Sequence, residues 1–172
     1  MAITLISTLT SSGSTTVFDF TSIPSAYTDL MLVISARQAT GTNAIGRLTF
    51  NGLTTNLTQR VLAGGGSSAA SITGTQIEPV LSYATDTANT FGSLTAYIPN
   101  YASTSIAKSV SVDSVSENNA TSAFQRITAG LWNSTAAITQ ITFTSPDGNW
   151  SNGSTASLYG VLKGSSGGVT VS

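Results

Sequence analysis

The chain is divided into short segments rich in Val, Ile, Thr, Tyr and Phe, each bounded by Gly, Asn, Pro or Ser. Within several segments the apolar residues recur at every second position, as they do in half-buried strands. Val110 and Val112 share one face of such a segment, and Ile127, Ala129 and Leu131 share one face of another. No window of useful length has the helical period of about 3.6 residues together with capping residues. This pattern restricts the chain to an all-β fold.

The spacing of these segments predicts the architecture. About eight to ten strands separated by short turns predict a single-domain antiparallel β-sandwich, jelly-roll-like, over residues 1–164. The run Leu-Met-Leu-Val-Ile within Asp29–Arg37 predicts a central strand covered on both faces, with another subunit as one possible cover. Two weaker segments lie near Ile72 and Val80. The predicted strands are Ile3–Thr8, Thr15–Phe20, Asp29–Arg37, Ile45–Asn51, Thr58–Ala63, Phe91–Pro99, Ile106–Ser116, Phe124–Trp132, Ile138–Thr144 and Ser154–Gly164.

Turn residues predict how some of these strands are connected. Asn51-Gly52 suits a tight hairpin turn, because both residue types accept positive φ angles. The Gly-rich stretch Leu62–Ser71 predicts a long loop or a mobile arm. The sequence of Thr142–Gly164 predicts the last hairpin of the sandwich, with a polar turn at its tip. Residues 165–172 are predicted to form a flexible C-terminal tail.

Composition excludes several classes of function. Charged residues make up 8% of the chain, against roughly 25% in ordinary soluble domains. The six Lys and Arg residues are scattered, so we expect no nucleic-acid partner. The chain has no Cys, so we expect neither disulfides nor thiolate metal sites. The first residues have no basic region and only a short apolar run, so we expect no signal peptide and no membrane partner.

A search for catalytic chemistry finds no coherent set of residues. The chain has no His, which removes the usual acid/base group at neutral pH and the commonest transition-metal ligand. The segment that begins at Asp147 partly resembles a calcium-binding loop, but Asn152 replaces the required Gly and Leu158 replaces the final Glu. We therefore expect no enzyme activity, no metal site and no cofactor.

Trp150 has two open interpretations. The favoured one is a ring folded over the edge of the core. The other is an exposed ring that either contacts a neighbouring subunit or forms a platform on which a sugar ring stacks, with Asp147, Asn149 and Asn152 as neighbouring hydrogen-bonding groups.

Two motifs at opposite ends of the chain carry a resemblance. The early motif has the form F-x-F-x-x-I-P-x-x-Y-x-x-L, and the late one is S-L-Y-G. Together they resemble small structural proteins of tailed bacteriophages, in which the early element leads into a strand and the late strand closes the domain. The matching positions are Phe18, Phe20, Ile23, Pro24, Tyr27, Leu30 and Ser157–Gly160.

The resemblance implies a virion component of one of two kinds, both commonly trimeric β-sandwiches. The first is a head decoration (cement) protein, a homotrimer that contacts the major capsid protein or other virion subunits. It is favoured because the sequence has neither a long shaft nor an attachment helix. Its candidate partner contacts are Ile3, Leu5, Gly64, Gly65 and Gly66.

The second kind is a tail-fibre or receptor-binding module that recognises a glycan on the host surface. Its candidate ligand contacts are Asp147, Asn149, Trp150 and Asn152. Both alternatives predict localisation in the virion.

Overall fold

Antiparallel strands form the whole regular structure of the residues described by this computed structural model, which are 2–42, 45–119 and 123–163. The predicted all-β sandwich is confirmed. Its eleven strands are β1 (Ala2–Thr10), β2 (Val17–Phe20), β3 (Asp29–Ala36), β4 (Arg47–Phe50), β5 (Leu57–Gly65), β6 (Ser68–Gly74), β7 (Gly92–Pro99), β8 (Lys108–Ser116), β9 (Phe124–Trp132), β10 (Ile141–Thr144) and β11 (Thr155–Leu162). The predicted tail, residues 165–172, lies outside the described residues.

The strands form two sheets of unequal size. The large sheet has eight strands in the order β1-β11-β3-β7-β8-β9-β5-β6, and the small sheet has three in the order β2-β10-β4. From β1 to β5 the chain alternates between the large and the small sheet at every strand, and it alternates again from β9 to β11. One hydrophobic core lies between them. Its members from the small sheet are Phe18, Phe20, Leu48, Phe50, Ile141 and Phe143, and those from the large sheet include Leu30, Leu32, Ile34, Leu94, Ala96, Ile98, Val110 and Val112.

The small sheet covers only one face of the large sheet. We call the opposite face, onto which Met31 and Val33 of β3 project, the outer face. β3 lies inside the sheet between β11 and β7, and its inward residues are fully buried. Met31 and Val33 are only half-buried. Within the described residues no second layer covers this apolar strand, and its cover by another subunit stays a prediction.

Strand β9 has the predicted alternation, but its apolar stripe points away from the core. Ile127 lies on the outer face with 55% of its surface exposed, whereas Thr128, Gly130 and Trp132 face inward and are buried. A Cβ atom at Gly130 would lie 2.8 Å from Cδ1 of Ile77, so glycine at this position leaves room for Ile77 to fill the core. A two-residue period defines two faces of a strand without stating which one is buried.

The Gly-rich stretch Leu62–Ser71 is not the long loop that was predicted. It forms the ends of β5 and β6, which pair as far as Gly65 opposite Ser68. Only Gly66 and Ser67 lie between them, and Gly66 has the positive φ of 62° that a tight turn requires. The prediction was wrong because strand pairing uses backbone groups, which small residues leave accessible.

The turn at Asn51-Gly52 is confirmed. Both residues have positive φ angles, 52° and 68°. The backbone N–H of Leu53 donates to the carbonyl of Phe50 at 2.9 Å, which closes the turn.

The prediction that Thr142–Gly164 forms a hairpin is wrong. β10 pairs with β2 and β4 in the small sheet, whereas β11 pairs with β1 and β3 in the large sheet. The segment between them, residues 145–154, crosses from one layer to the other. Ser145 N–H donates to the carbonyl of Thr16, and Ser151 N–H donates to that of Arg37. These long-range backbone partners, which no local sequence pattern specifies, decide the path.

Lys108 is a buried charge inside the sandwich. Its side chain is 0% exposed, and its ammonium donates to the carbonyls of Ser103 at 2.7 Å, Ile106 at 2.8 Å and Thr135 at 3.1 Å. Burial lowers the pKa of Lys108, while the three carbonyls stabilise its charged form. Lys108 thus ties the segment before β8 to the segment after β9.

Replacing Lys108 by Met should lower the free energy of unfolding by roughly 2–4 kcal/mol, because three carbonyl groups that converge on one buried ammonium lose their donor. Urea unfolding followed by tryptophan fluorescence measures this change. Arg60→Met is the matched control, since Arg60 is exposed, and it should change stability by less than about 0.5 kcal/mol. Equal stability of the two variants would contradict the structural role of Lys108.

Candidate functional site

Trp150 is part of the core and is not a stacking platform for a ligand. Its side chain is 0% exposed. The ring stacks on Phe18 at a centroid distance of 5.7 Å and on Phe143 at 5.4 Å, with interplanar angles of 13° and 10°. Stacked aromatic partners leave no free face for a sugar ring. The interpretation of Trp150 as a core residue is correct, and its assignment as a ligand contact is wrong.

The polar residues around Trp150 fasten the crossing segment to neighbouring loops. Asp147 Oδ2 accepts a hydrogen bond from the backbone N–H of Thr42 at 2.9 Å. Asn149 Nδ2 donates to the carbonyl of Gly13 at 3.1 Å. Asn152 is exposed. These side chains therefore do not surround an open aromatic cleft, and the two that are half-buried have a structural role.

A buried carboxylate ties two strands of the large sheet to the chain after β11. Asp29 Oδ1 accepts a hydrogen bond from the backbone N–H of Asn100 at 2.9 Å. Asp29 Oδ2 accepts one from the hydroxyl of Tyr97 and forms an ion pair with Lys163 Nζ at 2.9 Å. Because all three partners donate to the carboxylate, the group is a structural anchor and a poor candidate for a proton acceptor.

The hydrogen bonds control the titration of this group. Burial by itself would raise the pKa of Asp29, but the bonds from Tyr97, Lys163 and Asn100 outweigh it and hold that pKa below its usual value. The bond to Asp29, and then burial, raises the pKa of Tyr97 to about 12. The folded state therefore favours ionised Asp29 and neutral Tyr97 over the whole physiological range.

Arg37 organises the loop that precedes β7. Its guanidinium donates to the carbonyls of Thr87 and Thr90 through Nη1, and to those of Ala84 and Asp86 through Nη2, at distances of 3.0–3.1 Å. This planar fork of donors satisfies four carbonyls that face one point. Sequence reasoning missed this role, because the partners lie about fifty positions further along the chain and carry no motif.

The candidate partner contacts lie at two distant places. Ile3 and Leu5 are on the outer face of β1 at one edge of the large sheet, and each is 53% exposed. Gly64, Gly65 and Gly66 lie at the end of the β5–β6 hairpin at the opposite edge. Seven strand spacings separate the two edges, about 34 Å. The structure therefore does not combine these residues into one contact site within a single chain.

The outer face extends from one of these edges to the other and carries few charges. Leu62 of β5 and Ile127 of β9 are direct cross-strand partners on the part of this face nearer to β6, and they are 66% and 55% exposed. Of the described strand residues, Arg60 and Asp113 are the exposed charged ones on this face. Serine, threonine and alanine fill most of the rest. A sheet surface with few charges and with exposed apolar residues at its centre is the strongest candidate for a functional site.

The size of the outer face matches that of a protein interface. Eight strands and about six residues along each give a surface of roughly 35 Å by 20 Å, on the order of 700 Å². A stable complex of standard size buries about 800 Å² of each partner. The outer face could therefore supply one complete side of a specific interface.

Comparison of the chain with protein-family models, with curated proteins and with solved structures finds no match. No helix in the described part of the chain is long and apolar enough to cross a membrane. Residues 2–42, 45–119 and 123–163 also contain no group of three or more acidic, His or Cys side chains placed to hold a metal ion.

Replacing Trp150 by Ala should lower the free energy of unfolding by about 3–5 kcal/mol, because the stack between Phe18 and Phe143 would contain a cavity. Chemical unfolding measures the loss. Asn152→Ala, at an exposed position of the same segment, is the control and should have little effect. A Trp150→Ala protein of unchanged stability would show that the ring is not a core element.

Acid should lower the free energy of unfolding by protonating Asp29. Because its pKa is lowered on folding, its contribution is present above the unfolded pKa of about 3.9 and is lost as pH falls below that value. Asp29→Asn should therefore destabilise the protein by about 1–3 kcal/mol at pH 7, and by less at pH 3. Urea unfolding at several pH values measures the difference. Asp113→Asn, at an exposed position, is the control. If the loss of stability caused by Asp29→Asn were the same at every pH, ionised Asp29 would not be the stabilising group.

Proposed function

We propose that the protein is a structural subunit of a tailed-bacteriophage virion, a decoration or cement protein that reinforces the head by contacts between subunits. The observation that carries this proposal is the outer face of the large sheet, where β9 presents its apolar stripe to solvent. These outward apolar residues do not contribute to the core of this chain. In a contact between subunits they would be buried and would stabilise the assembly.

The motif residues behind the phage resemblance support a structural role. Phe18, Phe20, Ile23 and Leu30 are all buried in the core. The early and late motifs also meet, because the ring of Tyr27 lies against Gly160. A Cβ atom at Gly160 would be 2.3 Å from that ring, so the Tyr and the Gly form one packing unit.

The scarcity of charge on the outer face suits close contact with other virion subunits. Desolvating charged groups is costly, whereas alanine can be buried against a partner at little cost, and serine and threonine can be buried where they hydrogen-bond across the contact. The proposed partners are the major capsid protein or other virion subunits. The homotrimer implied by the resemblance belongs to the same proposal.

The glycan-binding alternative has lost its main support. It depended on an exposed Trp150 among hydrogen-bonding side chains, and Trp150 is enclosed by Phe18 and Phe143.

Cryo-electron microscopy of the intact particle tests the proposal. Density for this chain over the icosahedral head, bridging capsid subunits through the outer face, is the expected result. Density restricted to the tail or to fibre tips would overturn the decoration role and favour host recognition.

A charge in the outer face should prevent assembly without unfolding the protein. Ile127→Lys is expected to reduce the number of copies bound per particle by about tenfold or more, since a lysine in a desolvated interface costs over about 1.4 kcal/mol. Quantitative mass spectrometry of purified particles measures the copy number. Leu53→Lys, at a residue that is 45% exposed in the turn after β4, is the matched control. Equal incorporation of both variants would show that the outer face is not the contact surface.

A further inference from the structure

Both edges of the large sheet lack charged residues. The first charged residue of the chain is Asp19, and none lies between Arg60 and Glu78. β1 and β6 are therefore uncharged edge strands. Proteins that remain monomeric protect such edges with charged side chains, proline or bulges, because unpaired backbone groups attract another strand.

β1 is protected and β6 is not. The pairing of β1 with β11 shifts register between Leu5 and Ser7, which is a bulge. The pairing of β6 with β5 is continuous from Gly74 to Ser68. The side chains of β6 are exposed or half-buried along its whole length. β6 is thus a regular, open and uncharged edge.

The geometry of the hairpin identifies the free backbone groups of β6. In a two-residue turn the flanking pair, here Gly65 and Ser68, is hydrogen-bonded, and hydrogen-bonded pairs then alternate with non-bonded ones. Along β6, the N–H and C=O groups of Ala69, Ser71 and Thr73 consequently point away from β5. The unpaired N–H and C=O groups of these three alternate residues can form the hydrogen bonds of one more antiparallel strand.

We propose that β6 pairs antiparallel with β6 of a second copy of this chain, in a register centred on Ser71. Ser71 then lies opposite its own copy, Ala69 opposite Thr73, and Ser68 opposite Gly74. The outward groups of one copy meet the outward groups of the other, and all seven residues of the strand are paired. The two large sheets become one continuous sheet across a two-fold axis.

Charge and symmetry favour this pairing over other occupants of the edge. The nearest basic residue is Arg60 on β5, and the two β5 strands would be three strand spacings apart, about 14 Å. This distance exceeds the screening length of about 8 Å at physiological salt, so the uncharged strands meet without repulsion. Pairing of β6 with β1 of another copy would instead be heterologous and would not close on itself by a two-fold.

The size of the contact sets its strength. A seven-residue overlap is about 23 Å long, and one added strand buries less than the roughly 800 Å² per partner of a standard interface. The pair is therefore weak between isolated molecules and effective where many copies share one surface. It is separate from the proposed trimer and can link copies that belong to different trimers. It does not depend on the virion role.

Disulfide trapping tests both the contact and its register. The chain has no cysteine, so Ser71→Cys introduces a unique thiol. In the proposed pair the two Cα atoms at this position are about 5.5 Å apart, within the range of a disulfide. Ser67→Cys is the matched control at the exposed tip of the same hairpin, where the two copies would be about 27 Å apart.

We expect Ser71→Cys to form a covalent dimer about tenfold faster than Ser67→Cys under mild oxidation, as measured by non-reducing electrophoresis. A mixture of Ala69→Cys and Thr73→Cys proteins should form the mixed dimer in preference to either homodimer. Equal rates for Ser71→Cys and Ser67→Cys would indicate random collision and overturn the proposal. Preferential homodimers in the mixture would overturn the register. Absence of the protein from the virion would leave these results unchanged.

Discussion

An eight-stranded sheet that is covered on only one face determines most of this structure. The three strands of the small sheet and the segment containing Ile77 bury the inner face. The other face has no second layer within the described chain, although it carries Met31, Val33, Leu62 and Ile127. Antiparallel sheets commonly carry polar residues on a face that is open to water, and this face combines serine and threonine with exposed apolar residues and few charges. The proposed contact surface follows from this imbalance.

The few charged residues are used inside the molecule as well as at its surface. Lys108 is capped by three carbonyls, Asp29 accepts from three donors, and Arg37 supports the loop before β7. Each of them holds irregular segments that lie beside the strands. Because these charges are engaged internally, the surface has fewer left to oppose association.

The same arrangement explains why a binding site did not form where the sequence is most polar. Residues 145–154 must cross between two layers, and Trp150 of this segment is buried in the core, stacked on Phe18 and Phe143 of the small sheet. The polar neighbours of Trp150 then bond to the loops on either side of the crossing. A segment that resembles a ligand loop in the sequence is therefore a connection whose tryptophan stabilises the core.

The sequence by itself determined where strands form, which residues share a face, and that Asn51-Gly52 makes a tight turn, because these properties depend on neighbouring residues. Only the tertiary structure decided that Ile127 faces outward, that Leu62–Ser71 is a hairpin, and that β10 and β11 belong to different sheets. Alternation defines two equivalent faces, and a backbone N–H can bond to any carbonyl that is brought near it. The choice of face and of partner is therefore made by packing between residues far apart in the chain, which no local pattern records.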